Sequence, residues 1–295
     1  MVQVGHVILW QHYTKLMNLI SYKSCAKVNI GLQIRNKRSD GYHNIHTIFH
    51  EIDFHDLITI NKRNYGCEFS SNVKWLKNDN TNLCVKAWEI MVQKYGIDGI
   101  DINVEKNIPR GGGLGGGSSN AASILKAINI LYQLGIKHDE LISLASGLGA
   151  DVPFFINGGL QAGDGIGDKL TVLKRDCDWL YLIVMPDLKI DTNWAYKEMR
   201  FFLDSPTKKT KFASFIQKKN IPFDVFENDF ETIVFPAYPE IGLIKDKLRD
   251  YGARFASLSG SGSTVYGIFD EDADINSAES YFSSQYKTII SRPNF

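Results

Sequence analysis

Apolar and polar residues alternate along "AKVNIGLQI" (Ala26 to Ile34), a stretch rich in β-formers, and this predicts a strand. The polar run "RNKRSDGYH" follows, with a turn centred on Asp40-Gly41, and "NIHTIFHEIDF" predicts a second strand. In "DNTNLCVKAWEIMVQKYGI" the apolar Leu83, Ala87, Ile90 and Met91 recur at helical spacing. "GIDINVEKNIP" reads as a short strand running into a glycine-rich loop. Beyond the loop, Ile124, Ala127, Ile128, Leu131 and Leu134 mark a helix that Gly135 ends. The next helix takes Asp139 as N-cap and sets Leu141, Leu144 and Ala145 on one face, until "GLGADVPFFI" (Gly147 to Ile156) breaks it.

From about Asp164 the character changes. "DWLYLIVMP" (Asp178 to Pro186) has the pattern of a buried strand, and the lysine-rich stretch Lys208 to Lys219 reads as surface helix and loop. "RFASLSGSGSTVYGIF" (Arg254 to Phe269) predicts strand, glycine turn, strand. Strands and helices mix without regular βαβ alternation, which favours an α+β fold in two domains over a doubly wound sheet.

Composition narrows the picture. The chain has 295 residues, 44% hydrophobic and 22% charged, enough to bury a sizeable core. Lys plus Arg and Asp plus Glu are 33 each, so no global charge argues for nucleic acid or an anionic membrane. Cys25, Cys67, Cys84 and Cys177 form neither a CxxC pair nor a metal-ligand spacing, which points to reduced thiols and a cytoplasmic protein. No apolar run is long enough to span a bilayer. The first twenty residues carry a short apolar patch, Val7 to Trp10, without a basic leader or cleavage site, and read as an extension outside the main fold. The neutral balance leaves both monomer and homodimer open.

The densest chemistry lies in "IPRGGGLGGGSSNAASILKAI", where six of the seven residues from Gly111 to Gly117 are glycine. Consecutive glycines let backbone N–H groups converge on one point, and a helix starting just beyond adds unpaired N–H groups and its positive dipole end. Together they make an anion site that suits phosphate, and Ser118 and Ser119 add hydroxyls for phosphate oxygens or magnesium. A flexible linker is the alternative, but linkers are rarely bracketed by a strand and a strong amphipathic helix. A Walker A loop needs Gly-Lys-Ser/Thr, and no lysine is present here. The GxGxxG trace through Gly111, Gly113 and Gly116 is matched trivially by so glycine-saturated a run. A lysine for the phosphates, if needed, has to come from elsewhere.

P-x-G-x-G-L-G-G-G-S-S-N-A-A resembles the second motif of the GHMP kinases, the family of galactokinase, homoserine kinase and mevalonate kinase. "AKVNIGL", "LGADVPFFI" and "LSGSGSTVYG" resemble, in order, that family's first, catalytic-Asp and third glycine motifs, so the likeness runs from about Ser24 to the end. "RSDGYHNIHTIF" resembles the branch that phosphorylates the 2-hydroxyl of a cytidine-diphosphate-linked methylerythritol in the non-mevalonate route to isoprenoid precursors. "ENDFE" (Glu227 to Glu231) resembles a further segment of that branch. Two other readings stand beside it: another small-molecule kinase of the family, of mevalonate or homoserine type, and a catalytically silent nucleotide-binding sensor.

The resemblance implies a two-domain fold with the active site in the cleft between the domains. Residues 1–20 would be the extension, 21–163 the ATP-binding domain and 164–295 the substrate domain. ATP would be the co-substrate, with Mg2+ carried by the nucleotide rather than held in a protein cage. Pro109, Arg110, Gly111, Gly112, Gly113, Leu114, Gly115, Gly116, Gly117, Ser118 and Ser119 would hold its phosphates, with Lys106 and Asn82 on the adenine side. Asn82 stands in Thr81-Asn82-Leu83, where the family usually has Asp-Asn-Leu.

Asp151, among apolar neighbours, can take the proton of a substrate hydroxyl, or simply cap a turn; the resemblance assigns it as the catalytic base. Lys27 is either an edge-strand lysine or a buried one seeking an anion, and the resemblance pairs it with Asp151. Asn29, two residues on, shares its strand face and would be expected to hydrogen-bond the region of the reacting hydroxyl. Tyr42 and His43 resemble the cytosine reader, with Tyr196 on the base's other face and Thr192 in the same segment; core packing is the competing role for Tyr196. His46, His50 and His55 lie in an alternating stretch without a cysteine to complete a zinc set, and read as structural or solvent-facing. Asp164 and Asp168 carry no assigned role.

Overall fold

The computed structural model describes residues 18–175, 178–200 and 212–294. Residues 1–17, Cys177 and the first part of the Lys208–Lys219 stretch lie outside them. The chain forms two compact units, each assembled from separated segments: unit 1 is Met1–Ser24, Asp56–Lys106 and Gly117–Ile156, and unit 2 is Cys25–His55, Asn107–Gly116 and Asn157–Phe295. Strands β1 (Leu19–Lys37) and β2 (His43–Arg63) each contribute residues to both. Because two strands contribute to both units, each unit is made of separated segments. The start of β1 at Leu19 also brings the end of the 1–20 stretch into regular structure.

In unit 1 the second half of β2 pairs antiparallel with β4 (Gly99–Glu105), from Leu57↔Glu105 to Arg63↔Gly99, and β4 pairs parallel with β3 (Cys67–Ser71). Helix α1 (Leu83–Tyr95) starts where the Asn82 side chain accepts from the Cys84 N–H and stops at Gly96, left-handed at φ 61°. Helix α2 (Gly116–Leu131) buries Ile124, Ala127, Ile128 and Leu131, the expected face. It ends before Leu134: the chain leaves through Gln133 at φ 53° and Gly135 at φ 66°, and the Asn129 side chain bonds both the N–H and the C=O of Ile136. Helix α3 (His138–Ser146) buries Leu141, Leu144 and Ala145 as expected, but Lys137 occupies the cap position. Asp139 therefore lies inside the first turn, where its charge meets the positive end of the helix dipole instead of capping it. Helix α4 (Phe154–Asn157) follows.

In unit 2 the first half of β2 pairs with β5 (Leu160–Asp164), which pairs with β6 (Lys169–Val172), both antiparallel. A second sheet has the order β10-β7-β9-β8, all antiparallel, from β7 (Leu180–Met185), β8 (Phe255–Leu258), β9 (Val265–Phe269) and β10 (Lys287–Ser291). Strand β7 is buried on both faces. Tyr181, Ile183 and Met185 join one apolar cluster with Tyr266 and Ile268, while Leu182 and Val184 join another with Val265 and Phe269. That double burial is why "LYLIVM" reads as a continuous apolar run rather than an alternation. Helices α5 (Thr192–Met199), α6 (Glu231–Ala237), α7 (Pro239–Asp250) and α8 (Ile275–Ser283) complete the unit, and Ile241, Ile244, Leu248, Ala278 and Phe282 pack into the second cluster. The described part of the lysine-rich stretch is a 3-10 turn, Phe212–Phe215, with Phe212 and Ile216 fully buried, so it is core at that point and not a solvent-facing helix.

Candidate active site

Unit 2 gathers most of the expected groups. Lys27, 3% exposed, donates from Nζ to Asn29 Oδ1 at 2.6 Å and to the Gly113 carbonyl at 2.8 Å. Its own N–H donates to the Leu114 carbonyl at 3.0 Å. Asn29 passes the chain on: Nδ2 donates to Thr47 Oγ1 at 2.9 Å, and Thr47 donates to the Gly31 carbonyl at 2.7 Å. The Tyr266 hydroxyl donates to the Asn29 carbonyl at 2.7 Å. The lysine thus projects from β1 with its ammonium aimed at the glycine loop and its orientation fixed by an amide.

The loop is left-handed at alternate residues, with φ 74° at Gly111, 75° at Gly113 and 71° at Gly115. Side chains would also collide. A Cβ at Gly113 would lie 1.8 Å from the Ser259 carbonyl oxygen, and one at Gly112 would lie 2.8 Å from Thr264 Oγ1. The third glycine motif, residues 259–264, packs backbone to backbone on this loop. Ser259 Oγ donates to the Gly113 carbonyl at 3.0 Å, and the Thr264 N–H donates to the Gly112 carbonyl at 3.4 Å. Asn228 fastens the motif from behind, with Nδ2 donating to the Leu258 and Gly260 carbonyls at 2.8 Å each. The sequence marked "ENDFE" and "LSGSGSTVYG" by resemblance alone, and nothing in their spacing shows that they buttress the loop.

Thr192 opens α5, where the Asp191 side chain caps the Trp194 N–H at 2.9 Å, and its hydroxyl lies 3.0 Å from Ser261 Oγ of the same motif. Tyr196, one turn along, stacks on His43 with ring centroids 5.1 Å apart and planes at 14°. Phe230 meets the Tyr196 ring edge-on at 4.9 Å. Burial, and secondarily the Lys37 charge, pull the His43 pKa below the ordinary histidine value, and its buried Nε2 has no hydrogen-bond partner among the described residues. Tyr42 is 58% exposed, its ring open to solvent on the turn that Arg38 and Asp40 brace with a bidentate pair. Structure therefore brings His43 and Tyr196 into contact, sets Thr192 at the start of the same helix against the third glycine motif, and leaves Tyr42 at the surface.

Unit 1 holds the remaining groups. Ser118 and Ser119 lie in the first turn of α2, and Asp151 lies in the turn just before α4, partly exposed. Lys106 is in a buried ion pair with Asp56 and also donates to Asn120 Oδ1 at 3.0 Å. Asn120 Nδ2 donates to Ser24 Oγ at 2.9 Å, and Ser24 donates to Ser119 Oγ at 2.8 Å. This network ties the first turn of α2 to β1, β2 and the end of β4. The Asn82 side chain is spent on its cap and on the Lys77 carbonyl at 2.9 Å. The polar groups of Lys106 and Asn82 are therefore committed inside the unit.

The other histidines hold structural places. His46 Nδ1 pairs with Asp164 at 2.9 Å, and His50 Nδ1 bonds the Tyr181 hydroxyl at 2.6 Å, with burial pushing its pKa down to about 3. His55, Asp53 and Cys25 bring one ligand atom each within 4.8 Å of one another. Thiol and imidazole suit a soft transition ion, so this trio is not a place for the magnesium of a nucleotide. Cys25, Cys67 and Cys84 are free thiols, and burial pushes Cys84 up to about 12.

Comparison with known proteins fits this geometry. The GHMP kinases N terminal domain matches residues 82–159 and the GHMP kinases C terminal domain matches 220–288, which defines a two-domain small-molecule kinase with an α+β fold. A protein of Chlorobium phaeobacteroides (strain BS1), 4-diphosphocytidyl-2-C-methyl-D-erythritol kinase, is 38% identical over 95% of this chain and 99% of its own length. The protein of the same name from Chlorobium chlorochromatii (strain CaD3) is 40% identical over 92% of this chain and 96% of its own. A crystal structure of 4-(cytidine 5'-diphospho)-2C-methyl-D-erythritol kinase superposes with TM-score 0.77 at 29% identity, covering 94% of this chain and all, 100%, of that one. The Methanococcus jannaschii mevalonate kinase shares the fold, with TM-score 0.72 at 16% identity, over 95% of this chain and 100% of that one. The chain belongs to the 4-diphosphocytidyl-2-C-methyl-D-erythritol kinase family.

Proposed function

We propose that the chain transfers the γ-phosphoryl group of ATP to the 2-hydroxyl of 4-diphosphocytidyl-2-C-methyl-D-erythritol, in the cytoplasm. The observation that carries the reading is the cluster of Lys27 Nζ, the Asn29 amide and the Gly113 carbonyl, set where a glycine loop presents bare backbone. Phosphoryl transfer needs positioning and charge stabilisation more than covalent chemistry, and those groups supply both. In this reading the residues from Pro109 to Ser119 cradle the phosphates. Asp151 accepts the proton of the acceptor hydroxyl as the new P–O bond forms and the bond to ADP breaks. Lys27 offsets charge on the transferring group, and Asn29 holds the lysine and the acceptor.

The cytosine is read by His43, whose low pKa keeps the ring neutral at pH 7 and able to accept as well as donate, and Tyr42 and Tyr196 supply aromatic faces. Thr192 fixes the start of the helix that carries Tyr196. Lys106 and Asn82 reach adenine only by exchanging the partners described above. The Ser118 hydroxyl is an oxygen donor of the kind Mg2+ takes, and a nucleotide-borne magnesium meeting it would neutralise phosphate charge. No helix among the described residues is long and apolar enough to cross a membrane.

The purified protein is expected to turn over ATP with the cytidyl acceptor. Asp151→Ala should lower kcat by about 10²- to 10⁴-fold while ATP affinity stays within a few-fold. Full turnover by the variant removes Asp151 as the base. Turnover of mevalonate or homoserine in place of the cytidyl acceptor overturns the substrate.

A further inference from the structure

The glycine loop lacks the lysine that other phosphate loops carry, and unit 2 places one against it from elsewhere in the chain. Lys189 lies between β7 and the Asp191 cap of α5. Its Cγ is 3.5 Å from the point where a side chain would leave Gly111, so its aliphatic stem lies over that exposed glycine. Both neighbours in sequence are clamped. The Leu188 carbonyl accepts from Ser263 Oγ at 2.5 Å, and Ile190, 3% exposed, has its Cδ1 3.1 Å from the Cβ position of Gly262. The backbone of Lys189 is thereby held on the same buried motif that buttresses the loop. Its ammonium makes no hydrogen bond or ion pair among the described residues. The nearest acid in sequence on the far side, Asp191, has a carboxylate oxygen occupied by the Trp194 N–H.

We propose that Lys189 is a further phosphate-binding cation of this site, beside Lys27 and Arg110, supplied from elsewhere in the chain where a P-loop would carry its lysine within the loop. The inference rests on the kinase reading. From Cγ, the remaining stem lets Nζ swing over the bend at Gly111 and meet a phosphate oxygen that the loop amides hold. A lysine that stays solvated and unpaired until the ligand arrives gives up little to bind it, unlike one withdrawn from an existing ion pair. Its ligand is a di- or triphosphate, and two sources fit: the nucleotide on the loop, or the diphosphate of the acceptor, because Thr192 and Tyr196 follow in the same segment.

Lys189→Met keeps the stem on Gly111 and removes the charge. It is expected to raise KM about tenfold for one phosphate-bearing substrate and leave the other within twofold. A rise for ATP assigns the nucleotide, and a rise for the cytidyl acceptor assigns its diphosphate. Lys189→Arg should restore most of the loss, and the effect should shrink as salt is raised. Unchanged constants for both substrates overturn the proposal, as does an equal loss in both that arginine does not restore. If the wild-type protein fails to phosphorylate the acceptor, the kinase reading falls first. Calorimetry of Mg-ATP and of the cytidyl acceptor binding to wild type and Lys189→Met then decides Lys189 separately, with equal affinities for both ligands counting against it.

Discussion

Two glycine-containing turns in unit 2 pack on one another and do opposite jobs. Residues 259–264 are buried throughout, and their glycines make room for packing: a Cβ on Gly262 would sit 2.8 Å from Leu258 Cδ1. In the 111–116 stretch Gly111 is exposed, with only the Lys189 stem near it, while Gly113 is pinned by the Ser259 carbonyl. Glycine at one end of the first loop therefore answers to the scaffold, and at the other end to what approaches from solvent. Glycine content does not separate the two ends of that loop; what each absent side chain would strike does.

The contrast can be broken by substitution. Gly113→Ala forces a left-handed alanine and a backbone collision, and is expected to destabilise by about 4 kcal/mol or more, read as loss of the cooperative urea transition. A stable Gly113→Ala protein would show that the two motifs do not pack as described. Acid probes the buried scaffold without touching the loop. The His50 pKa is depressed to about 3 by burial, below its unfolded value of about 6.5, so protons bind the unfolded chain first. Stability is then complete above about pH 6.5 and falls as pH drops toward 3, by about 2 kcal/mol at pH 5, and His43 adds in the same direction. Urea midpoints at pH 7 and pH 5 check it; equal midpoints would place His50 in contact with water. The smallest change is expected from Gly111→Ala, about 1 kcal/mol from its positive φ alone. Its larger effect should appear in KM for ATP, which separates the ligand-facing end of the loop from the structural end.

Much of this was legible in the sequence. The spacing of Ala87 and Met91 gave the right helix because local periodicity and burial agree there; the alternation in "AKVNIGLQI" gave the right strand but not its burial, since the polar Lys27, Asn29 and Gln33 are buried along with their apolar neighbours. Asp139 misled because Asp is common both at the cap and in the first turn, and only the backbone distinguishes them. Leu134 kept the helical rhythm although the chain had already turned left-handed at Gln133. Asn228 behind the third glycine motif, Lys189 over Gly111 and the Lys106–Asp56 pair were beyond reach. Each joins residues far apart in sequence, and periodicity reports only neighbours along one element.

The His43–Tyr196 stack has a consequence for binding. Both rings are held before any base arrives, Tyr196 by Phe230 at its edge and His43 by burial. An unrestrained side chain surrenders about 0.5–1.5 kcal/mol of rotamer freedom when a ligand immobilises it. If these rings read the cytosine as proposed, folding has already accounted for that loss at two aromatic positions, and more of the stacking energy of the base remains as affinity. Only the solvent-exposed ring of Tyr42 is left to settle on arrival, and it is the single aromatic of the three whose entropy the ligand still has to overcome.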